Sequence, residues 1–275
     1  MKAAPFEHVA CQTTAQALAL LNPDEDLAGA VLPCSGTQSL GPMLNLRLAQ
    51  PARLVDVSRI EALRGFALQA GALHIGAAIT HARIEDGELP DVTGGLLRSV
   101  AGGIAYRAVR NRGTVGGSLA NADPAGDWVS VMVLLDAQVV IQGPRGERTM
   151  AAPAFLAGAY TTALQAGELL TGVRVPRFGA GARWAYRKMC RKPGELADAI
   201  AAIWLDPARG VARAVLGAPD AMPHAVAGEA AVQALRSPAA VAQVLAGLGI
   251  TDPVNVQWHQ AMVRRAWLDI DRIPS

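Results

Sequence analysis

The chain has only three cysteines in 275 residues, Cys11, Cys34 and Cys190, and no two of them form a CxxC or CxxxC pair. That scarcity excludes a four-cysteine zinc or iron–sulfur site built from this chain alone. Net charge is also small: 25 Lys and Arg against 23 Asp and Glu leave +2, and the basic residues are scattered. A nucleic-acid footprint needs a basic patch or run, so that function class is excluded, while recognition of a small anion is not. Long apolar runs are missing as well. The stretches Val129 to Leu135 and Ala197 to Leu205 fall well short of the roughly 18 residues a membrane span needs, and a soluble protein is expected. Pro5, Glu7, His8 and Gln12 interrupt any signal-peptide core near the start, so the expected location is the cytoplasm. The sequence contains neither GxGxxG between a strand and a helix nor GxxxxGK[ST], which excludes a Rossmann or P-loop nucleotide site. Internal repeats and low-complexity segments are lacking too.

What the chain does have is a 51% hydrophobic composition, enough for one large domain or two moderate ones. Ala30-Val31-Leu32 reads as a strand that runs into the polar turn Ser35-Gly36-Thr37-Gln38-Ser39, after which Leu40 to Leu48 suggest a short helix. Arg53 to Val57 and Ala72 to Ala77 read as strands, and Gly95 to Tyr106 as a helix. A second glycine-rich passage, Arg110-Asn111-Arg112-Gly113-Thr114-Val115-Gly116-Gly117-Ser118-Leu119-Ala120, precedes a buried helix over Asp127 to Leu135 and a strand over Ala137 to Gln142. Glu168 to Pro176, closed by Phe178-Gly179-Ala180-Gly181, is the expected domain boundary. Beyond it, strands at Arg183 to Met189, Asp198 to Leu205 and Val211 to Leu216 come before helices at Ala225 to Leu235, Ala239 to Leu248 and Val254 to Leu268. That order predicts an α+β C-terminal unit.

Glycine-containing turns let backbone amides converge on phosphate oxygens, because no side chain blocks the approach. The first passage ends where a helix begins, and Ser35, Thr37 and Ser39 add hydroxyls. A single turn of this composition is more often only a turn. Two such turns, approaching from two sides, suit an elongated ligand such as a dinucleotide.

These residues carry a resemblance. Ser35-Gly36-Thr37-Gln38-Ser39-Leu40 followed by Pro42 to Ala49 resembles the AGGxSLxPxxxxRLA element of the flavin-binding medium subunits of carbon monoxide dehydrogenase-type molybdenum hydroxylases. The run Arg110 to Ala120 with Asp123-Pro124-Ala125-Gly126-Asp127 resembles that family's RNRGTxGGxLAxxDPxxD signature nearly position for position. The resemblance implies an α+β fold: a vanillyl-alcohol-oxidase-type FAD-binding domain over residues 1–176, with subdomains of about 1–56 and 57–176. A smaller α+β flavoprotein domain over 177–275 would follow. It implies noncovalent FAD held by Ser35, Gly36, Thr37, Gln38, Ser39 and Leu40 and by Thr114, Val115, Gly116, Gly117 and Ser118. Ala101 would line the cofactor, Asp127 would hydrogen-bond it, and Lys188 and Glu195 would approach the flavin from the second domain. It also implies partners: a large molybdopterin subunit and a small subunit with [2Fe–2S] clusters, as one or two heterotrimers, with electrons leaving through flavin to an external acceptor. Two residues depart from the pattern. Thr37 stands where a second glycine is usual, and Glu195 where aspartate is common.

Each candidate has a plainer reading. Asp127 at a helix start is a natural N-terminal cap, Arg110 and Arg112 could be solvated or ion-paired surface residues, and Lys188 an exposed strand lysine. Cys34 reads as a small buried hydrophobe, His81 and His224 as structural, and the five tryptophans as packing or interface residues. Two other function classes stay open: a self-sufficient FAD oxidoreductase, and a cofactor-free scaffold or assembly protein.

Overall fold

The computed structural model describes residues 2–22, 29–69 and 71–273. The chain opens with a small parallel sheet made from β1 (Glu7–Ala10), α1 (Thr14–Leu21), β2 (Val31–Cys34), α2 (Leu40–Asn45) and β3 (Arg53–Asp56), in strand order β1-β3-β2. The helix α1 begins at Thr13, whose hydroxyl accepts from the Gln16 amide and satisfies one of the free donors of the first turn. Cys11, Ala17, Val55, Val57 and Leu63 close a core beneath this sheet.

Next come β4 (Phe66–Gln69), β5 (Ala72–Gly76), α3 (His81–Glu85), α4 (Leu96–Gly102), α5 (Arg107–Arg110), α6 (Val115–Asn121), α7 (Asp127–Leu134), β6 (Gln138–Gly143), β7 (Gly146–Ala151), α8 (Ala152–Phe155) and β8 (Leu169–Pro176). Their strands make an antiparallel sheet in the order β4-β5-β8-β6-β7. The residues read as a boundary, 169–176, are thus a central strand of this sheet, and the chain leaves it only at Arg177. Val173 and Val175 alternate into the core as the two-residue period of a strand requires.

The C-terminal part holds β9 (Arg183–Met189), β10 (Ala199–Asp206), β11 (Val211–Ala218), β12 (Ala221–Ala227), α9 (Glu229–Ala234), α10 (Pro238–Gly247) and α11 (Pro253–Arg272). The sheet is antiparallel in the order β12-β11-β10-β9. Helix was expected from Ala225, yet β12 occupies Ala221–Ala227 and the helix starts only at Glu229, past Gly228 at φ 95°. The pairing of β12 with β11 decides this against the alanine-rich composition. The α+β expectation for this part agrees with the observed sheet and helices.

Helix α7 is buried along its whole length and lies between the two larger sheets. Ala202, Trp204 and Val215 of the C-terminal sheet join Trp128, Val129, Met132 and Val133 in the main core, while Ala201, Ile203 and Leu205 face α11 on the other side. Every residue of β10 is consequently buried. Among the described residues no helix is long and apolar enough to cross a membrane.

His81, at the start of α3, packs inside this core and accepts a 3.0 Å hydrogen bond at Nδ1 from the indole N–H of Trp128. Burial, with the Arg110 charge adding to it, pushes the imidazole down to about 4 from its ordinary 6.5. The stability this neutral histidine contributes is therefore complete above the unfolded value and is lost as the pH falls toward the folded one. The loss comes to roughly 3 kcal/mol between about pH 6.5 and 4. Denaturant titrations across that range should show a steep fall in stability in the parent protein and a shallower one in His81→Gln.

Candidate functional site

The two glycine-rich passages, distant in sequence, meet in space. A methyl group on Gly36 would overlap the Arg112 carbonyl oxygen and lie 2.7 Å from the Arg112 carbonyl carbon and 2.8 Å from Gly113 Cα. Only a residue without Cβ permits that contact. The second passage is pinned from behind by the segment that follows β5. His81 N–H donates to the Gly113 carbonyl at 2.9 Å, Val115 N–H to Ile79 at 3.1 Å and Gly116 N–H to Ala77 at 3.0 Å. A Cβ on Gly116 would come within 2.5 Å of the Ala77 Cβ.

The amide cradle expected of both turns is available in only one. In the second, Thr114 caps α6 by accepting from the Gly117 amide at 3.1 Å, and the Ser118 amide donates to the Thr114 carbonyl at 3.0 Å. With Val115 and Gly116 committed as well, this turn offers the exposed face of Gly117 and the half-buried Ser118 side chain rather than free N–H groups. In the first turn, among the described residues, the amides of Gly36, Thr37, Gln38 and Ser39 donate to no protein acceptor. The Ser35 hydroxyl is buried without a hydrogen-bond partner. A buried hydroxyl left unpaired costs free energy unless something else meets it. Unpaired donors beside a bare-backbone contact fit an anionic ligand at this turn.

Thr37 has φ 57°, a left-handed conformation that glycine adopts freely and a β-branched residue resists. Its hydroxyl and the Gln38 side-chain amide both turn back onto the Gly36 carbonyl, at 2.8 and 2.9 Å. Ser39 is exposed at the start of α2, and Leu40 is the first residue of that helix.

Asp127 is not the cap of α7. Gly126 holds that position, and Asp127, one residue later, turns its carboxylate toward the C-terminal sheet. It accepts from the Tyr186 hydroxyl at 2.7 Å and lies 3.0 Å from the Lys188 ammonium, which donates also to the carbonyls of Gly103 at 3.1 Å and Glu195 at 3.2 Å. Lys188 is not an exposed strand lysine: its side chain is 12% exposed and that of Asp127 5%. Burial pushes the Asp127 carboxyl upward, and the Lys188 charge and the Tyr186 hydrogen bond oppose this. Ala101 is fully buried in the main core near the end of α4, two residues before Gly103. Glu195 sits at the surface, its carboxylate accepting from the Lys192 amide at 3.1 Å.

The helix expected to reach Tyr106 ends at Gly102, and Ala105 takes a left-handed φ of 43° where the chain meets Gly194. The Ala105 amide donates to the Gly194 carbonyl at 3.0 Å, and a Cβ on Gly194 would press against the Ala105 carbonyl. Arg110, which the sequence left as a possible surface residue, braces this loop. Its side chain is 12% exposed, pairs with Glu85 at 2.7 and 2.9 Å, and donates to the carbonyls of Ile104 and Ala105 at 2.9 and 2.8 Å. Tyr186, too, was not among the candidate site residues. The signal was its position two before Lys188 on a strand, which puts both side chains on one face. Asp123 stands apart from Asp127 and closes a local turn onto the Ala125 amide at 3.0 Å.

A family model described as the FAD binding domain in molybdopterin dehydrogenase matches residues 4–178. The chain belongs to that family. It is similar to the carbon monoxide dehydrogenase medium chain of Hydrogenophaga pseudoflava, 37% identical over 198 residues that cover 72% of this chain and 68% of the relative. The nicotine 6-hydroxylase medium subunit of Paenarthrobacter nicotinovorans is 35% identical over 76% of this chain and 71% of its own length. The similarity of fold continues past the matched family region. The solved carbon monoxide dehydrogenase from Hydrogenophaga pseudoflava superimposes with a TM-score of 0.85 at 32% identity, over 98% of both chains. The cofactor of this family is FAD, and the unpaired hydroxyl and free amides of the first turn fit its diphosphate.

Proposed function

We propose that this chain is the flavin subunit of a cytoplasmic molybdenum hydroxylase, seating one FAD between the two glycine-rich turns and passing electrons to an external acceptor. In this reading Ser35, Gly36, Thr37, Gln38, Ser39 and Leu40 hold the diphosphate with the free amides of the first turn. Thr114, Val115, Gly116, Gly117 and Ser118 form the opposing wall. Ala101 backs the wall near the flavin, and Asp127, Lys188 and Glu195 bound the end nearest the C-terminal unit. The chain then divides into a vanillyl-alcohol-oxidase-type domain over 1–176, with subdomains of about 1–56 and 57–176, and a C-terminal domain over 177–275. A large molybdopterin subunit would oxidise the substrate and a small [2Fe–2S] subunit would deliver the electrons, in one or two heterotrimers. Flavin supplies the exchange between one- and two-electron chemistry.

The observation that carries the reading is the interlock of Gly36 with Arg112 and Gly113, which brings a turn with unpaired donors against a rigid, glycine-faced partner. The residues of this chain bind and orient. The first turn meets negative charge with N–H donors, and the buried Asp127–Lys188 pair holds the 103–105 loop to the second unit. The visible spectrum of the purified protein, followed by acid release, tests this: stoichiometric FAD is expected. A colourless protein that takes up no added FAD would favour the scaffold reading, and substrate turnover by the isolated chain a self-sufficient oxidoreductase.

Gly117→Trp checks the placement of the second turn. Apart from the Thr114 hydroxyl at 2.9 Å, nothing lies near a Cβ there, so the indole points into the open side where the cofactor would run. FAD affinity should fall by about tenfold or more, 1.4 kcal/mol, while stability falls only by the roughly 1 kcal/mol that disturbing the Thr114 cap costs. Equal affinity by fluorescence titration would remove this turn from the site.

A further inference from the structure

Tyr186 and Lys188 project from the same face of β9 onto one carboxylate of another unit. The Tyr186 hydroxyl donates to Asp127 Oδ1 at 2.7 Å, and the Lys188 ammonium reaches Oδ1 at 3.0 Å and Oδ2 at 3.1 Å. On the opposite face of β9, Arg187 is engaged with Asp269 of α11 at 2.5 and 2.7 Å and takes no part. Among the described residues, Lys188 and Tyr186 are the charged or titratable groups that act on Asp127, and Cys190 acts in turn on Tyr186. The remaining such contacts of α7 and its end lie elsewhere: His81 on Trp128, and Arg213 on Asp136.

We propose that Tyr186 is a positioning residue that acts on the flavin through Asp127 and Lys188, its hydroxyl keeping the carboxylate ionised so that the pair stays neutral overall. The proposal rests on the reading that puts Lys188 at the flavin. Burial favours the neutral acid at Asp127, and the two hydrogen-bonding partners work against it in favour of the charged form. The phenol, pushed well above its ordinary range by burial and by the Asp127 charge, donates at every accessible pH. Without that donor, Asp127 takes up a proton at higher pH. Lys188 is then left as an uncompensated cation beside the flavin, and a cation there favours the more negative, reduced form.

The test is the reduction potential of the FAD-loaded protein as a function of pH, in the parent, Tyr186→Phe and Asp127→Asn. In Y186F the acid-side rise in potential should begin about one pH unit higher, a roughly tenfold change in proton affinity. Asp127→Asn, which removes the carboxylate charge outright, should hold the raised potential at all pH values. A Y186F curve that coincides with the parent's while D127N is raised overturns the proposal and leaves Tyr186 as packing alone. Parent potentials in both variants would overturn the placement of the pair at the flavin, and the proposal with it. A mere packing role lowers the melting temperature of Y186F without moving its potential.

Discussion

Lys188→Met is expected to lower the stability of the folded chain by about 3–5 kcal/mol, because it strands a buried carboxylate. Among the described side chains Asp127 would keep the Tyr186 hydroxyl as a partner, and Gly103 and Glu195 would lose the donor that ties their carbonyls together. Burial already pushes the Asp127 carboxyl upward, and the loss of Lys188 removes the largest opposing influence. With its folded value above the unfolded one, this acid adds stability only below the unfolded value, and that stability is lost as the pH rises through the folded one. Denaturant unfolding should therefore show a larger deficit for K188M at pH 8 than at pH 5. The double variant Asp127→Leu with Lys188→Met should recover most of the loss, since an apolar pair of similar volume often replaces a buried ion pair at little cost. A single variant as stable as the parent at both pH values would contradict the buried pair.

Gly36→Ala should have the second large effect. The added methyl has no free space: it meets the carbonyl of Arg112 and the Cα of Gly113, which are backbone atoms and cannot rotate away. Either the two turns separate or the backbone strains, with a loss of about 2–4 kcal/mol. Because the free amides follow directly after Gly36, FAD retention should fall together with stability, and reconstitution with excess FAD should recover little of it. A G36A protein that melts with the parent and keeps its flavin would mean that the turns do not interlock.

Both predictions depend on contacts that link remote parts of the sequence, and this is where reading the chain ran out. Local patterns carried the strands and helices around the glycine passages, because β2, α2, β5 and α7 each combine a clear apolar period with a punctuating turn. Pattern fell short where pairing decides. Within the stretch Glu168 to Pro176, read as the domain boundary, residues 169–176 pair as a central strand, with Gly172 in close approach under His74 and Pro176 at the strand's end. The alanines of β12 read as helix because nothing local records the neighbouring β11. Asp127 read equally well as a cap or as a ligand, and the structure adds the Tyr186 and Lys188 partners that the capping reading does not supply. Composition told that both turns could host phosphate. It could not tell that Ala77, Ile79 and Thr114 use up the amides of one of them.

The position of α7 between two sheets bears on how such a chain comes to be made. Its outer face is covered by Ala202, Trp204 and Val215, which emerge from the ribosome long after the helix itself. A nascent chain that stops at Phe178, where the family region ends, has all the residues of both turns but leaves part of the main core open to water. The C-terminal sheet thus completes the main core around α7, and that core is closed only when the last third of the chain has arrived.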